Sequence, residues 1–384
     1  MSYSGKIVDL IGALVAIDSS NAFLIPGSPG ERKVQEFILG YLTKLGLEAK
    51  IEPTNDGHTN LAACFKGIGG GKNITLYAHA DTVGYELWRD RALKLDRRGD
   101  TLVGLGAADD KGHCAAAILA VERLIEEGCR PRGDVNLAFV ADEEGRSAGA
   151  FGYVRDHTPE TALILESAPV ERINVTHQGF GWLDITVKGK AAHGSAPGEG
   201  RDAIARMAEI IVRLQKLARE KYAAHSHPLN GETVYHTGTI TGGTDYGTYP
   251  EHCKLGIEIG TQPGETIKSR VDEIEEIFEQ VRTIYPDLDA SVGVTIARDP
   301  FEARGHEEIY AAYEKALAKV TGKTAVAVGE NSWGDAQIFQ DAGFPTIGVG
   351  ADGGNLHAPD EWVSLSELEE LVEVVAETIK DYCG

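Results

Sequence analysis

Asp134-Val-Asn-Leu-Ala-Phe-Val-Ala141 is an apolar run of strand length that ends directly on Asp142-Glu143-Glu144. Such a run reads as a buried strand, with three acids placed just past its end. Working outward, the same layout recurs twice. Residues 74–79 form a second buried run that leads into His79-Ala80-Asp81, and the short strand Leu163–Leu165 leads into Glu166. Helical segments lie between them: one at 31–45 ending near Gly46, another at 112–127 closed by Gly128 and Pro131. Alternating strands and helices are the signature of an α/β fold. Open α/β sheets build their sites beyond the C-terminal ends of their strands.

From about residue 175 the texture changes. A period-two strand at 182–188 is followed by a helix over 201–222, strands at 233–240 and 253–259, a charged helix at 265–283 and a strand at 291–297. That order, β-α-β-β-α-β, predicts a ferredoxin-like α+β unit. After Pro300 a helix at 306–320 and strand-like pieces at 324–328 and 345–349 return to the first texture. The expected organisation is one discontinuous α/β domain, 1–175 with 300–384, interrupted by a smaller domain at 176–299.

The chain has 384 residues, with 37 Lys+Arg against 59 Asp+Glu and a formal charge of −22. That balance excludes a nucleic-acid-binding protein, because phosphate backbones are gripped by basic clusters. It argues equally against an anionic membrane surface. Five scattered cysteines (Cys64, Cys114, Cys129, Cys253, Cys383) form no C-x-x-C and suit a reducing compartment. The N-terminal apolar stretch is interrupted by Asp9 and reads as an amphipathic helix rather than a membrane or targeting segment. The expected location is the cytoplasm.

Two motifs fail on inspection. Gly67-Ile-Gly-Gly-Gly-Lys72 lacks both the Walker spacing and the following Ser/Thr. Gly145-Arg146-Ser147-Ala148-Gly149 matches G-x-S-x-G after a strand, making a serine hydrolase with Ser147 as nucleophile and His357 as base a rival reading. Against it, the intervening acids would oppose the charge that develops in an oxyanion hole.

The polar clusters carry the chemistry. Alternation along a strand puts His79 and Asp81 on one face, so Asp81 can orient the His79 imidazole. Gly106-Ala-Ala-Asp109-Asp110-Lys111-Gly112 sets carboxylates in a glycine-flanked loop opening a helix, and His357 lies in Gly353-Gly-Asn-Leu-His357-Ala-Pro-Asp-Glu361. Histidines and carboxylates without cysteine suit divalent Zn, Co or Mn. Six acids gathered in one cleft (Asp81, Asp109, Asp110, Glu143, Glu144, Glu166) need cations to pair them.

HADTV at 79–83, the GAADDKG loop, the DEE turn, Glu166 and the Gly-Gly…His-x-x-x-Glu segment occur in that order. Together they resemble the co-catalytic dinuclear metal hydrolases that include acetylornithine deacetylase, succinyl-diaminopimelate desuccinylase, carboxypeptidase G and aminoacylase. The resemblance implies a zinc-peptidase-like catalytic domain with a mixed sheet flanked by helices. It also implies an inserted ferredoxin-like lid that dimerises through a strand edge and the 201–222 helix. Two divalent ions, zinc foremost, would lie about 3.5 Å apart, bridged by Asp109 and a water. His79 and Glu166 would hold one ion, Glu144 and His357 the other, and the Asp109–Asp110 peptide would be cis. Glu143 would be the general base, passing the proton of the attacking water to the leaving nitrogen. His193, in Lys190-Ala-Ala-His193-Gly-Ser-Ala-Pro197, would reach the opposite subunit's site and stabilise the oxyanion. His225 and His227 read as solvent-exposed.

The resemblance weakens in the insert. Gly247 stands where the family carries an Asn, and Gly260 where it carries an Arg that anchors substrate carboxylate. No other side chain reproduces that fork. His252, Tyr249, Arg298 and Arg304 are the candidate replacements. The expected activity is hydrolysis of an N-acyl amino acid or peptide-like C–N bond. The alternatives are a dipeptidase or carboxypeptidase, or a hydrolase of an atypical amide or aromatic amine without that anchor.

Overall fold

The computed structural model describes residues 3–224 and 226–384, so His225 lies outside the described residues. The chain divides into two compact units. The first comprises the chain up to Val175 with Ala303–Ala327 and Gly334–Gly384; the second comprises Thr176–Glu302 with Val328–Trp333. The segment 328–333, expected in the first domain, therefore clusters with the second. Among the described residues no helix is long and apolar enough to cross a membrane.

The first unit is built on a mixed sheet. Its centre is four mutually parallel strands in the order Val135–Val140, Ile74–His79, Thr161–Leu165 and Thr346–Val349. Nearly every residue in them is buried, as expected of strands covered on both faces. The antiparallel pair Glu48–Pro53 and Thr59–Phe65 extends one side, and on the other Gly348 lies opposite Asn174. Because the central strands are parallel, His79, Asp142, Glu166 and Gly350 all emerge from the same edge. The ladder continues past the strands: Ala80 N–H donates to the Val140 carbonyl and Glu166 N–H to that of Val349. Sheet hydrogen bonds thus fix the residues flanking the acids.

The helix Lys111–Glu126 packs against the sheet, the first helix Tyr3–Val15 and the C-terminal helix Leu365–Tyr382. Ala115, Ala116, Ala117 and Ala120 let three neighbours approach it, which explains why almost all of its residues are buried. It stops where Gly128 takes a left-handed conformation (φ 66°), the N–H groups of Gly128 and Cys129 satisfying the last carbonyls.

The second unit has strands Tyr235–Gly242, His252–Thr261, Gly179–Lys188 and Asp289–Arg298 in that spatial order, all neighbours antiparallel. This is the ferredoxin-like arrangement the sequence order implied. Strict alternation along Gly179–Lys188 sends Leu183, Ile185 and Val187 to one face, where they meet Met207, Ile210 and Leu214 of Ala203–Leu217 and Ile274, Phe278 and Val281 of Ile267–Arg282. Asp202 and Thr266 cap the two helices by accepting from Ala205 and Ser269 N–H. The expected 201–222 helix ends at Leu217 and continues only as a wider turn, Ala218–Tyr222.

Candidate active site

The loop after Val103 carries Asp109 and Asp110, whose shared peptide is cis. The loop is held by Glu361, a fully buried carboxylate that accepts from the N–H groups of Gly106 (3.1 Å), Ala108 (2.9 Å) and Asp109 (3.0 Å). Asp109 projects one oxygen to each side. Its Oδ1 lies 2.8 Å from His79 Nε2 and its Oδ2 3.2 Å from His357 Nε2. His357 Nε2 is also 3.0 Å from Glu144 Oε2, and His79 Nε2 is 3.8 Å from Glu166 Oε1. His357 sits in a left-handed conformation (φ 58°), as do Asn355 and Asp360, so the 353–361 loop is bent sharply to present it.

Asp110 faces the other way. Its Oδ2 accepts from the His79 N–H at 2.9 Å, and its Oδ1 lies 2.7 Å from His113 Nδ1. His113 Nε2 accepts from Ala351 N–H, so the proton sits on Nδ1, the nitrogen that faces Asp110. Asp81 stands behind His79, with Oδ1 3.5 Å from Nδ1, and receives the N–H groups of Glu143 and Glu144 (3.2 Å each). The Glu143 carboxylate itself accepts no hydrogen bond from any described residue.

Two groups of donors lie close enough to share a cation: His79, Asp110 and Glu166, and Asp109, Glu144 and His357, each within 4.8 Å. The electrostatics agree. Burial pushes the Glu143 carboxyl well above its usual range, with Asp335, Glu144 and Asp109 adding to the effect and His79 opposing it. Burial and Asp110 do the same to Glu166, and burial and Asp109 push Glu144 up to about 7 against the pull of His357. His357, bonded to Asp109 and Glu144, rises to about 11. Burial opposes the charge on Asp109, yet His357 and His79 outweigh it and hold that carboxyl low. Protons shared among these groups stand in for positive charge, and Glu144 Oε1 is buried with no partner among the described residues. Imidazole nitrogens and carboxylate oxygens arranged in this way fit two divalent ions.

The structure corrects the serine-hydrolase reading. Ser147 does turn left-handed after the strand (φ 58°), but it is fully buried, and His357 is engaged with Asp109 and Glu144. The candidate substrate contacts are not one cluster. Arg304 lies in the first unit, paired with Asp341. In the second unit, His252 stands opposite Lys188 and Arg298 opposite Phe180, at the two ends of one strand about 25 Å long. Tyr249 packs against Gly200.

The two glycines at the expected anchor positions differ physically. Gly247 is exposed and open, its N–H donated to Asp245, so a larger side chain would fit there. At Gly260 a Cβ would come 2.6 Å from Gln178 Oε1. Gln178 is buried, accepting from Val234 N–H and donating to the Glu232 carbonyl, so the space an Arg needs is filled. His193 is exposed; its Nδ1 accepts from Ser195 N–H, which leaves Nε2–H facing outward. Its loop is tied to the other glycine's loop by Gly194 N–H to the Gly247 carbonyl. His227 is half-buried rather than exposed, its Nδ1 capping the N–H groups of Leu229 and Asn230.

Sequence reading named the ligating types but not their supports: Asn21, Glu361 as a loop clamp, His113 and Asp335, which receives the Tyr77 hydroxyl at 2.7 Å. Asn21, Glu361 and Asp335 have partners remote along the chain, and His113 reaches both Asp110, three residues away, and Ala351, far along it, so no local pattern reveals the set.

An α/β sheet with a two-cation carboxylate–imidazole cluster at its strand ends, joined to a ferredoxin-like unit, defines a metal-dependent hydrolase. The chain belongs to Peptidase family M20/M25/M40, whose family model matches residues 75–381. It is similar to the acetylornithine deacetylase of Photorhabdus laumondii, 27% identical over 388 residues, covering 98% of this chain and 97% of that one. It is also similar to carboxypeptidase G2 of a Pseudomonas strain, 27% identical over 334 residues, 84% of this chain and 76% of that one. Among solved structures, the aminopeptidase PepT of Bacillus cereus shares the fold, with a TM-score of 0.81, 21% identity and 99% of both chains covered. The protein is therefore an enzyme that hydrolyses amide-type C–N bonds and depends on metal.

Proposed function

We propose that the enzyme cleaves the amide bond of an N-acyl amino acid or short peptide, with two divalent ions, zinc foremost, and with Glu143 as general base. The observation that carries this reading is Asp109, whose two oxygens address His79 and His357 separately. In this reading His79 and Glu166 would hold one ion and Glu144 and His357 the other, with the Asp109 carboxylate lying between the two histidines. When bound, the ions supply Lewis acidity toward the scissile carbonyl and acidify the attacking water.

The chain's own residues do the rest. The Glu143 carboxylate, with no hydrogen bond from any described residue yet held by its backbone, takes the proton of the attacking water and delivers it to the leaving nitrogen. Asp81 keeps the His79 ring in place. His193, with an outward Nε2–H, is the donor proposed for the oxyanion, contributed by the other subunit of a homodimer. The exposed strand Tyr235–Gly242, at one edge of its sheet, supports dimerisation. Five free cysteines suit the cytoplasm.

Gly260 favours a second reading of the substrate. With Gln178 filling the anchor's place, an amide that lacks an α-carboxylate is accommodated as well. The test is a panel of N-acetyl, N-succinyl, dipeptide and aromatic amide substrates, assayed after metal stripping and after reconstitution with Zn, Co or Mn. Activity should vanish on stripping and return on reloading. Full activity without metal would sink the proposal, and turnover confined to substrates without a carboxylate would select the second reading.

A further inference from the structure

We propose that Asn21 is a positioning residue for the reaction: its amide ties the Glu143–Glu144 turn to the carboxylate behind His79. Asn21 lies in the loop between the first two helices and is fully buried. That loop runs beside the residue after Asp81, since Asn21 N–H donates to the Thr82 carbonyl (2.8 Å) and Thr82 N–H to that of Ser19 (3.2 Å). The side chain uses every bond it can make. Its Oδ1 accepts from the N–H groups of Phe23 (2.9 Å) and Leu24 (3.2 Å), which fixes the amide orientation. Its Nδ2 therefore faces two carboxylates, donating to Asp81 Oδ2 at 2.8 Å and to Asp142 Oδ1 at 2.9 Å.

Both recipients matter for the acids between them. Asp81 receives the backbone N–H groups of Glu143 and Glu144, while Asp142, left-handed at φ 62°, is the root of the same turn. The Asp142 carboxylate also accepts from the N–H of Arg146 at 3.2 Å. Asn21 thus bridges one carboxylate beneath the turn and another at its base. Gly145 shows how closely the turn is fitted: a Cβ there would lie 2.3 Å from Asp142 Oδ1 and 3.1 Å from the Asn21 amide. Without those two N–H donors, the buried Asp81 and Asp142 lose a shared partner, and the turn loses the tie that sets Glu143 and Glu144 relative to His79.

This inference rests on the metal-hydrolase reading, so its test carries a readout that does not need turnover. Asn21→Ala and Asn21→Ser are compared with wild type and with Gln35→Ala, a buried amide that bonds Thr59 and the Phe139 carbonyl and touches neither Asp81 nor Asp142. Measured are kcat and KM with zinc loaded, the chelator concentration that strips half the zinc, and the melting temperature. The Ala variant should lose about 10- to 100-fold in kcat with KM little changed, and release zinc at about tenfold lower chelator. Ser, which keeps one donor, should fall between Ala and wild type. Gln35→Ala should melt earlier without either effect. If wild type proves inert on every amide, the functional reading fails while zinc retention still tests Asn21. Wild-type kcat and zinc retention in both Asn21 variants would overturn the proposal. If Ala does not fold, the Ser variant decides on the same two readouts.

Discussion

The acid cluster of the first unit and the loops of the second hold their polar groups in opposite ways. In the first, three buried carboxylates are gripped by backbone from far along the chain. Glu361 takes three N–H groups from the metal loop, Asp81 takes two from the Glu143–Glu144 turn, and Asp110 takes one from His79. In the second, the His193 side chain bonds only Ser195, two residues away, among the described residues, and the exposed Gly247 is tied by Asp245 and by Gly194 of the neighbouring loop. Reacting groups must keep their places within a fraction of an ångström, and long-range backbone anchoring does that. An exposed side chain with so few contacts can change without disturbing the fold.

The sharpest way to test that division is Glu143→Gln. The amide keeps the shape but cannot take a proton, so kcat should fall about 10²- to 10⁴-fold. Zinc content, measured by metal analysis, should stay at the wild-type level. A Gln variant with near-normal turnover would show that the rigid cluster is not the reaction centre. His193→Ala addresses the other region. Loss of an oxyanion donor should cost about 10²- to 10³-fold in kcat. Because its contacts are local, the melting temperature should not move. A coupled loss of stability would erase the contrast between the two regions.

Glu361→Ala sharpens the claim about backbone anchoring. Three N–H groups of the Gly106–Asp109 loop lose their acceptor, so metal affinity by chelator competition should drop about 10- to 100-fold. An unchanged affinity would mean that the loop is held by its own glycines.

How far the sequence displayed all this follows from the range of each interaction. The parallel strands were legible because Val135–Val140 and Ile74–His79 are continuous apolar runs, and the second unit because its strands alternate. The strand Thr59–Phe65 escaped notice since Ala62, Ala63 and Cys64 carry little β preference. The ligating residue types stood out at strand ends. Their supports did not: Asn21 meets its carboxylates 60 and 121 residues away, and Glu361 its loop about 250 residues away. Ser147 shows the converse. A local motif formed the expected left-handed turn, but packing decided that its hydroxyl points inward.

Gly260→Ala probes whether the second unit also has a rigid part. The added methyl would press on Gln178 and, at 3.2 Å, on Val234 N, so Gln178 must move and give up its bonds to Val234 and Glu232. Stability should fall by about 1–3 kcal/mol, read from denaturant unfolding. Adding Gln178→Ala should recover part of the loss, as coupled neighbours do. Strict additivity would show that the carboxamide does not fill that space.

The smallest effect expected is in the second unit's buried ion network. Arg270, nearly inaccessible, donates to both oxygens of Glu273 and to the Gly260 carbonyl, and Tyr222 and Lys221 also bond Glu273. Burial alone would raise the Glu273 carboxyl, but the bonds from Lys221 and Tyr222 and the charge of Arg270 outweigh it and hold it below its ordinary 4.5. A depressed carboxylate stabilises the folded chain above the unfolded value, and that contribution fades as pH falls below 4.5 through the folded one. Glu273→Gln should therefore cost about 1 kcal/mol near neutral pH. It should also flatten the acid limb of the stability profile below pH 4.5, where the wild type loses what the variant never had. Profiles that stay parallel through that range would mean the network contributes packing rather than charge.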